Sequence, residues 1–325
     1  MSFCEIELYN PNNLDVKQRN NIGFGVSKVF GRPLGVSLTS ILENNRSLEF
    51  NIHIFYEELQ DIDIKYLKQT CDKYSQVMYF HKARNFKELF KNVRHDSKIW
   101  QATYFRLIAV ADMPDFAKSL LWLDSDICCC GSLENVFKLN MEEYPIAAVN
   151  HAEQKGLVES SIKRLKLKSN KYFNAGIIYF DLENWNKMNL SKMTFEMIAN
   201  PRKEWVIYDQ DMFNSLVDGN YYELDYEYNF QRLGGNRKYK EIPNDVKIFH
   251  YIGIEKPWYK YKSEFQERWL EYSNKSFWKD VPLLIPEQTK SNASYFRYMS
   301  RSAIKEGNIL EGIQYFITYL KLKYI

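Results

Sequence analysis

The residues Ser119-Leu120-Leu121-Trp122-Leu123-Asp124-Ser125-Asp126-Ile127 form an apolar run that ends at two carboxylates. Its first five residues have the length and composition of a buried β-strand. Side chains two residues apart point to the same side of extended backbone, so Asp124 and Asp126 can converge on one cation. Such a strand end is costly unless a metal or a hydroxyl-rich ligand meets the carboxylates. Taken alone, the pattern also fits a solvated strand end with two turn-forming aspartates.

Strands and helices alternate on both sides of this stretch. The predicted strands are 22–26, 50–56, 77–80, 119–123, 146–149, 175–181 and 246–251, and the predicted helices include 35–44, 62–74 and 100–111. This alternation is typical of an α/β protein built on a βαβ sheet, whose ligands bind at the carboxyl ends of the strands. Residues 1–20 are polar and predict an irregular surface extension.

The composition excludes several classes of protein. The 325 residues carry 44 Lys and Arg against 41 Asp and Glu, and a net charge of +3 argues against a nucleic-acid binder. No run approaches the roughly 20 apolar residues of a spanning helix, and the N-terminus lacks the apolar block of a secretory signal. We therefore expect a cytoplasmic protein. Cys128, Cys129 and Cys130 are contiguous, which favours buried packing over a disulfide framework or a zinc site.

A second strand-like stretch, at 247–258, ends in a histidine. His250 is followed by Gly253 and then by Lys256, which Pro257 restrains. One imidazole together with the two carboxylates described above suits a borderline divalent ion such as Mn²⁺. Gly253 allows the backbone to approach a phosphate, and Lys256 supplies a point charge to a leaving diphosphate. The other histidines, His53, His81, His95 and His151, are interpreted as surface or packing residues.

Two further segments carry amide and carboxylate side chains. Asn174 and Ala175 begin a predicted strand, and Asp209 and Gln210 lie at a predicted helix N-terminus. Such groups bind sugar hydroxyls through paired donor and acceptor bonds. Helix capping is the alternative interpretation. We favour capping for Asp211 and ligand binding for Asp209 and Gln210.

These segments resemble glycosyltransferase family 8, the retaining nucleotide-sugar transferases with a GT-A fold. They are most similar to the bacterial lipopolysaccharide core hexosyltransferases. The resemblance runs from about residue 21 to residue 258. Six motifs stand in family order: FGV (24–26), TYFRL (103–107), LWLDSDI (121–127), FNAGI (173–177), DQD (209–211) and HYIGIEKPW (250–258). Each motif alone is weak, and six in order are specific.

The resemblance implies a role for each matching residue. Asp124, Asp126 and His250 would hold Mn²⁺, with Mg²⁺ as an alternative, on the diphosphate of a UDP-hexose. Arg106 would contact the donor sugar and diphosphate, although a helix-surface arginine is its alternative. The implied catalytic residues are Gln210, Asp209 and Lys256. The implied donor-binding residues are Gly25, Val26, Ser27, Arg106, Asp124, Ser125, Asp126, Asn174, Ala175, Asp209, Gln210, His250, Gly253 and Lys256.

The sequence departs from the family pattern at two positions. The family usually carries an acidic residue after FGV, near the uracil, where this chain has Ser27. An acidic residue is also common after the fourth strand, where this chain has Asn150. Serine can still bond to uracil, but the preference of an acid for the ring N–H is lost. Either change points to altered specificity or weakened activity.

The resemblance predicts transfer of glucose or galactose from a UDP-sugar to a lipopolysaccharide core acceptor, forming an α-glycosidic bond. A glycogenin-like self-glucosylating protein and a non-catalytic UDP-sugar-binding relative are the alternatives. We predict an N-terminal extension (1–20), a GT-A catalytic domain (21–280) and a helical, basic-aromatic C-terminal extension (281–325). Lysines and arginines interleave with aromatic residues in this last segment, which predicts binding to anionic lipid at the cytoplasmic face of the bacterial inner membrane. A C-terminal helix packed on the catalytic domain is the alternative.

Overall fold

The computed structural model describes residues 3–93, 100–150, 155–231, 243–253, 256–260 and 265–324. Its strands are β1 (Cys4–Tyr9), β2 (Asn20–Val26), β3 (Phe50–Tyr56), β4 (Val77–Ala83), β5 (Ser119–Leu123), β6 (Ile127–Cys129), β7 (Ile146–Asn150), β8 (Phe173–Asp181), β9 (Tyr222–Leu224), β10 (Phe230–Gln231) and β11 (Ile248–His250). Its helices are α1 (Gly31–Asn44), α2 (Asp61–Lys73), α3 (Phe86–Leu89), α4 (Trp100–Ala109), α5 (Glu134–Phe137), α6 (Lys155–Leu165), α7 (Leu182–Lys187), α8 (Leu190–Ala199), α9 (Tyr208–Val217), α10 (Gln266–Lys275), α11 (Ala293–Lys305) and α12 (Ile309–Tyr324).

One large mixed sheet carries the fold, in the strand order β1-β4-β3-β2-β5-β8-β7-β9. Strands β4, β3, β2 and β5 run parallel, which is the βαβ arrangement that the sequence predicts. Strand β8 then pairs antiparallel with both β5 and β7. The α/β prediction is therefore confirmed, and the sheet is mixed.

Apolar side chains cover both faces of this sheet. Leu34, Leu38 and Leu67 of α1 and α2 pack on one face, and Phe105 and Phe213 of α4 and α9 belong to the cluster on the other. The inner strands are consequently near-continuous apolar runs, a pattern typical of strands that are buried on both sides.

The prediction of an irregular extension is wrong for β1. Residues Cys4–Tyr9 pair antiparallel with β4 and form one edge of the large sheet. Most of their side chains are exposed, so the strand is held by its backbone hydrogen bonds to β4 and not by burial of apolar side chains. The backbone N–H of Phe3 also donates to the Asp112 carboxylate at 2.8 Å. A strand held in this way carries almost no hydrophobic pattern.

A second, three-stranded sheet, β10-β11-β6, lies where β5 ends. Cys128 and Cys129 are buried in β6 and Cys130 is half-buried, so the cysteines pack as predicted. His53 and His81 are buried in the large sheet with their ring nitrogens 3.0 Å apart, which confirms them as packing residues. His95 and His151 lie outside the described residues. None of the helices in the described ranges is long and apolar enough to cross a membrane.

Candidate active site

Three potential metal ligands meet at the junction of the two sheets. Asp124 follows β5, Asp126 precedes β6, and His250 ends β11, which pairs antiparallel with β6. The histidine Nε2 lies 3.2 Å from Asp126 Oδ1 and 3.7 Å from Asp124 Oδ2. All three ligand atoms lie within 4.8 Å of one another. An imidazole nitrogen with two carboxylates fits a borderline divalent ion, so the donor set is chemically suited to Mn²⁺.

A glycine leaves room for this cluster. The carbonyl of Gly176 accepts a hydrogen bond of 2.8 Å from the backbone N–H of Asp124, which places β8 directly against the carboxylates. A Cβ at position 176 would lie 2.3 Å from His250 Cε1 and 2.8 Å from Asp124 Oδ2. Any larger residue must therefore displace a ligand.

Two cations flank the carboxylates. Lys256 forms an ion pair with Asp126 Oδ2, and its ammonium also donates to the carbonyl of Tyr251 at 2.6 Å. Arg106 of α4 lies 2.5 Å from Asp124 Oδ1 and 3.2 Å from Asp209 Oδ2. The Arg106 side chain is only 3% exposed, so the interpretation as a helix-surface arginine is wrong.

The two carboxylates differ in their preference for a proton. Burial raises the pKa of Asp124 to about 6, against the opposing charge of Arg106, and the nearby Asp126 carboxylate adds to the rise. Burial would also raise the pKa of Asp126, but Lys256 and His250 outweigh it and hold that pKa below its ordinary value. Burial also raises the pKa of Asp209, although the positive charge of Arg106 opposes this rise. Below about pH 6, protons therefore compete with any cation for Asp124.

The amides of Asn174 and Gln210 lie beside this cluster and bind each other. Gln210 Oε1 accepts from Asn174 Nδ2 at 2.9 Å and from the backbone N–H of Ala175 at 3.2 Å. The other end of the Gln210 amide donates to the Tyr172 hydroxyl at 3.0 Å. Both ends of Gln210 are thus fixed by the protein, and its oxygen already has two donors.

The Asp211 carboxylate is held by side chains and backbone of the protein. Its carboxylate is fully buried and pairs with Arg164 of α6 at 2.8 Å. It also accepts from the Tyr172 hydroxyl at 2.7 Å and from the backbone N–H of Val206 and Ile207 just before α9. These contacts support the capping interpretation of Asp211.

The remaining predicted residues lie around the cluster. Ser125 is buried, and its hydroxyl donates to the Gly25 carbonyl at 3.2 Å, which ties the end of β2 to the turn between β5 and β6. A Cβ on Gly25 would lie 2.3 Å from the Ala102 carbonyl oxygen, so glycine allows α4 to pack on β2. Val26 ends β2 and Ser27 follows it half-exposed. Gly253 has a φ of +75°, a left-handed conformation that favours glycine.

The site also contains a residue that was not predicted from the sequence. Asn229 is buried and contacts both His250 Nδ1 and Asn174 Oδ1, each at 3.0 Å. It precedes the two-residue strand β10 and matches none of the six motifs. Asn150, one of the two departures from the family pattern, accepts the backbone N–H of Tyr172 at 3.4 Å.

The chain is similar in sequence to known glycosyltransferases of lipopolysaccharide. The chain is 29% identical over 319 residues to the lipopolysaccharide 1,3-galactosyltransferase of Salmonella typhimurium, covering 93% of this chain and 91% of that protein. It is 27% identical over 313 residues to the lipopolysaccharide glucosyltransferase WaaO of Escherichia coli, covering 92% and 89%.

Among solved structures, the galactosyltransferase LgtC in complex with donor and acceptor sugar analogs superposes with a TM-score of 0.65 at 19% identity. The match covers 82% of this chain and 98% of that one. This likeness confirms the predicted GT-A fold. The model of glycosyl transferase family 8 matches residues 21–262, and the model of the family 8 C-terminal region matches residues 265–323. The chain therefore belongs to glycosyltransferase family 8.

Proposed function

We propose that the protein is a retaining hexosyltransferase that moves glucose or galactose from a UDP-sugar to a lipopolysaccharide core acceptor. The observation that carries this proposal is the cluster of Asp124, Asp126 and His250, with Arg106 and Lys256 beside it. Two anionic ligands and two cations within one site suit a metal-bound diphosphate. The resemblance to both galactosyl- and glucosyltransferases of lipopolysaccharide supports the acceptor class and leaves both hexoses as candidates.

Asp124, Asp126 and His250 would hold the proposed Mn²⁺, which supplies Lewis-acid stabilisation of a departing diphosphate. Lys256 and Arg106 add fixed positive charge where negative charge grows as the glycosidic bond breaks. The Gln210 oxygen already accepts two N–H donors, and an amide is in any case a poor nucleophile. We therefore favour attack by the acceptor hydroxyl on the face that the diphosphate leaves, with a phosphate oxygen taking the proton.

The test is a donor screen that measures UDP release from UDP-glucose and UDP-galactose, with truncated core oligosaccharides as acceptors. We expect turnover with one hexose, dependent on the acceptor, lost after exhaustive treatment with EDTA and restored best by Mn²⁺. Full turnover without a divalent ion would contradict the metal assignment. A gain of hexose mass by the protein itself, without acceptor, would indicate the glycogenin-like alternative. Absence of any UDP release would favour the non-catalytic one.

We also propose that the C-terminal hairpin, α11 and α12, binds the protein peripherally to anionic lipid. Helix α11 packs on the catalytic body, where the rings of Tyr295 and Tyr259 lie 4.6 Å apart. Helix α12 packs on α11 but leaves an apolar face exposed. We call this the α12 face; it consists of Ile309, Leu310, Ile313, Phe316, Ile317, Leu320 and Tyr324. Exposed cations lie on the same two helices, at Arg301, Lys305, Lys321 and Lys323. An apolar face with basic neighbours suits the interface of an anionic membrane.

Ile313→Ser tests this proposal. Ile313 is 47% exposed, and Ile62→Ser, at a position 44% exposed on α2, is the matched control. Because Ile313 is about half exposed, its burial in the membrane is worth about half of the roughly 1.5–3 kcal/mol of a whole aliphatic side chain, and its loss should weaken binding to phosphatidylserine-containing vesicles about three- to tenfold in a sedimentation assay. Turnover on a soluble acceptor fragment should not change. Equal sedimentation of the two variants would refute the role of the α12 face.

A further inference from the structure

A continuous row of hydrogen-bonded side chains connects α9 to the histidine of the metal cluster. We call it the polar row. From the buried carboxylate inward it consists of Asp211, Tyr172, Gln210, Asn174, Asn229 and His250. Each link between neighbours is 2.7–3.0 Å long. The row brings together residues from four separate parts of the chain.

The direction of every bond in the polar row is fixed by groups that cannot reverse their roles. A carboxylate only accepts, so the Tyr172 hydroxyl donates to Asp211. The backbone N–H of Ala175 donates to the Gln210 side chain and that of Gly176 to the Asn174 side chain, so both acceptor atoms are oxygens. One end of the Asn229 amide faces the Asn174 oxygen, and this end must be the NH₂ group because the oxygen only accepts. Asn229 therefore turns its oxygen towards His250.

This orientation selects one tautomer of the imidazole. Asn229 Oδ1 lies 3.0 Å from His250 Nδ1 and requires a proton on that nitrogen. Asp126 Oδ1 is the competing acceptor. It lies 3.2 Å from Nε2 and favours the tautomer with the proton on that nitrogen. A metal needs the lone pair on Nε2, because that nitrogen faces both carboxylates.

We propose that Asn229 is a positioning residue that keeps the His250 proton on Nδ1 and leaves Nε2 as the free ligand. The inference rests on the proposed function, since it concerns the same metal site. Partners of this kind fix ring orientation in metal-binding histidines, and their loss typically costs ten- to a hundredfold in affinity. Local structure supports the placement, because β10, which follows Asn229 directly, pairs in parallel with β11. Gln231 adds a second donor to the same Asn229 oxygen at 3.0 Å.

The first measurement is ¹⁵N NMR of the metal-free protein, at a pH where the ring nitrogens of His250 report a neutral imidazole. The His250 signals are assigned by their loss in His250→Gln. We expect the wild-type protein and Asn229→Asp to carry the proton on Nδ1, because aspartate keeps an acceptor at that position. Asn229→Ala should shift the proton towards Nε2 and Asp126. A wild-type spectrum with the proton on Nε2 would overturn the inference without any variant.

The second measurement is Mn²⁺ affinity by electron paramagnetic resonance on the same proteins. We expect Asn229→Ala to weaken binding about ten- to a hundredfold. Asn220→Ala, at an exposed asparagine outside the polar row, is the matched control and should bind like the wild type. Unchanged affinity in Asn229→Ala would contradict the inference, and the wild-type NMR spectrum tests it even if this variant fails to fold. If the wild-type protein binds no Mn²⁺, the proposed metal fails, while the NMR result still decides the tautomer.

Discussion

Asp126→Asn is expected to reduce turnover at least about 1,000-fold while leaving the fold intact. The Asp126 carboxylate has two separate partners, His250 Nε2 on one oxygen and the Lys256 ammonium on the other. The amide has nearly the same shape but no charge. It therefore weakens a proposed metal ligand and leaves the partly buried Lys256 without its counter-ion. Both losses reduce stabilisation of the leaving diphosphate.

The measurement is initial UDP release at saturating donor, Mn²⁺ and acceptor, with thermal unfolding measured on the same sample. Asp115→Asn is the control, because Asp115 is an exposed aspartate on the segment before β5. We expect the control to behave as the wild type in both assays. Turnover of Asp126→Asn within about tenfold of the wild type would show that this carboxylate is not part of the catalytic centre.

Gly176→Ala is expected to lower both Mn²⁺ affinity and turnover by at least about 100-fold through one added methyl group. The new Cβ would lie 2.3 Å from His250 Cε1 and 2.8 Å from Asp124 Oδ2, both distances that atoms cannot tolerate. Gly176 is held in place by the backbone bond from Asp124 and by the ladder of β8, so the ligands must move instead. Displacement of one ligand by a fraction of an ångström spoils a metal site whose donors must converge.

Gly156→Ala is the matched control for this substitution. Gly156 lies in α6, and a Cβ there would have no neighbouring atom within 4 Å. Alanine is also the better helix former, so this control should be at least as stable as the wild type. We expect Mn²⁺ affinity and turnover to be unchanged in the control. Equal values in the two variants would mean that His250 and Asp124 do not act together on a cation.

The sequence determined the elements whose burial leaves a local pattern. Strands β3 and β5 were predicted with the bounds that the structure gives, because both are rich in aliphatic and aromatic residues and are flanked by charged ones. The site residues that end such strands, Asp124, Asp126 and His250, were predicted for the same reason. A polar side chain at the end of a buried strand stands out against its neighbours without any knowledge of the fold.

Elements and site residues that depend on partners distant in the chain could be identified only from the folded structure. Strand β1 was not predicted, because it is stabilised by backbone hydrogen bonds to β4, which lies about 70 residues later in the chain, and not by its own side chains. Gly176 lies within the FNAGI motif, but only the packing of β8 against Asp124 and His250 shows which atoms require a glycine there.

The partners and directions of the hydrogen bonds in the site also depend on the tertiary structure. Asn229 has no sequence signal, because an asparagine before a short strand is common in turns. Its importance arises from two hydrogen bonds to residues 55 and 21 positions away. Hydrophobic burial repeats with the period of the secondary structure and can be read locally, whereas a hydrogen bond has one partner and one direction, which only the folded chain specifies.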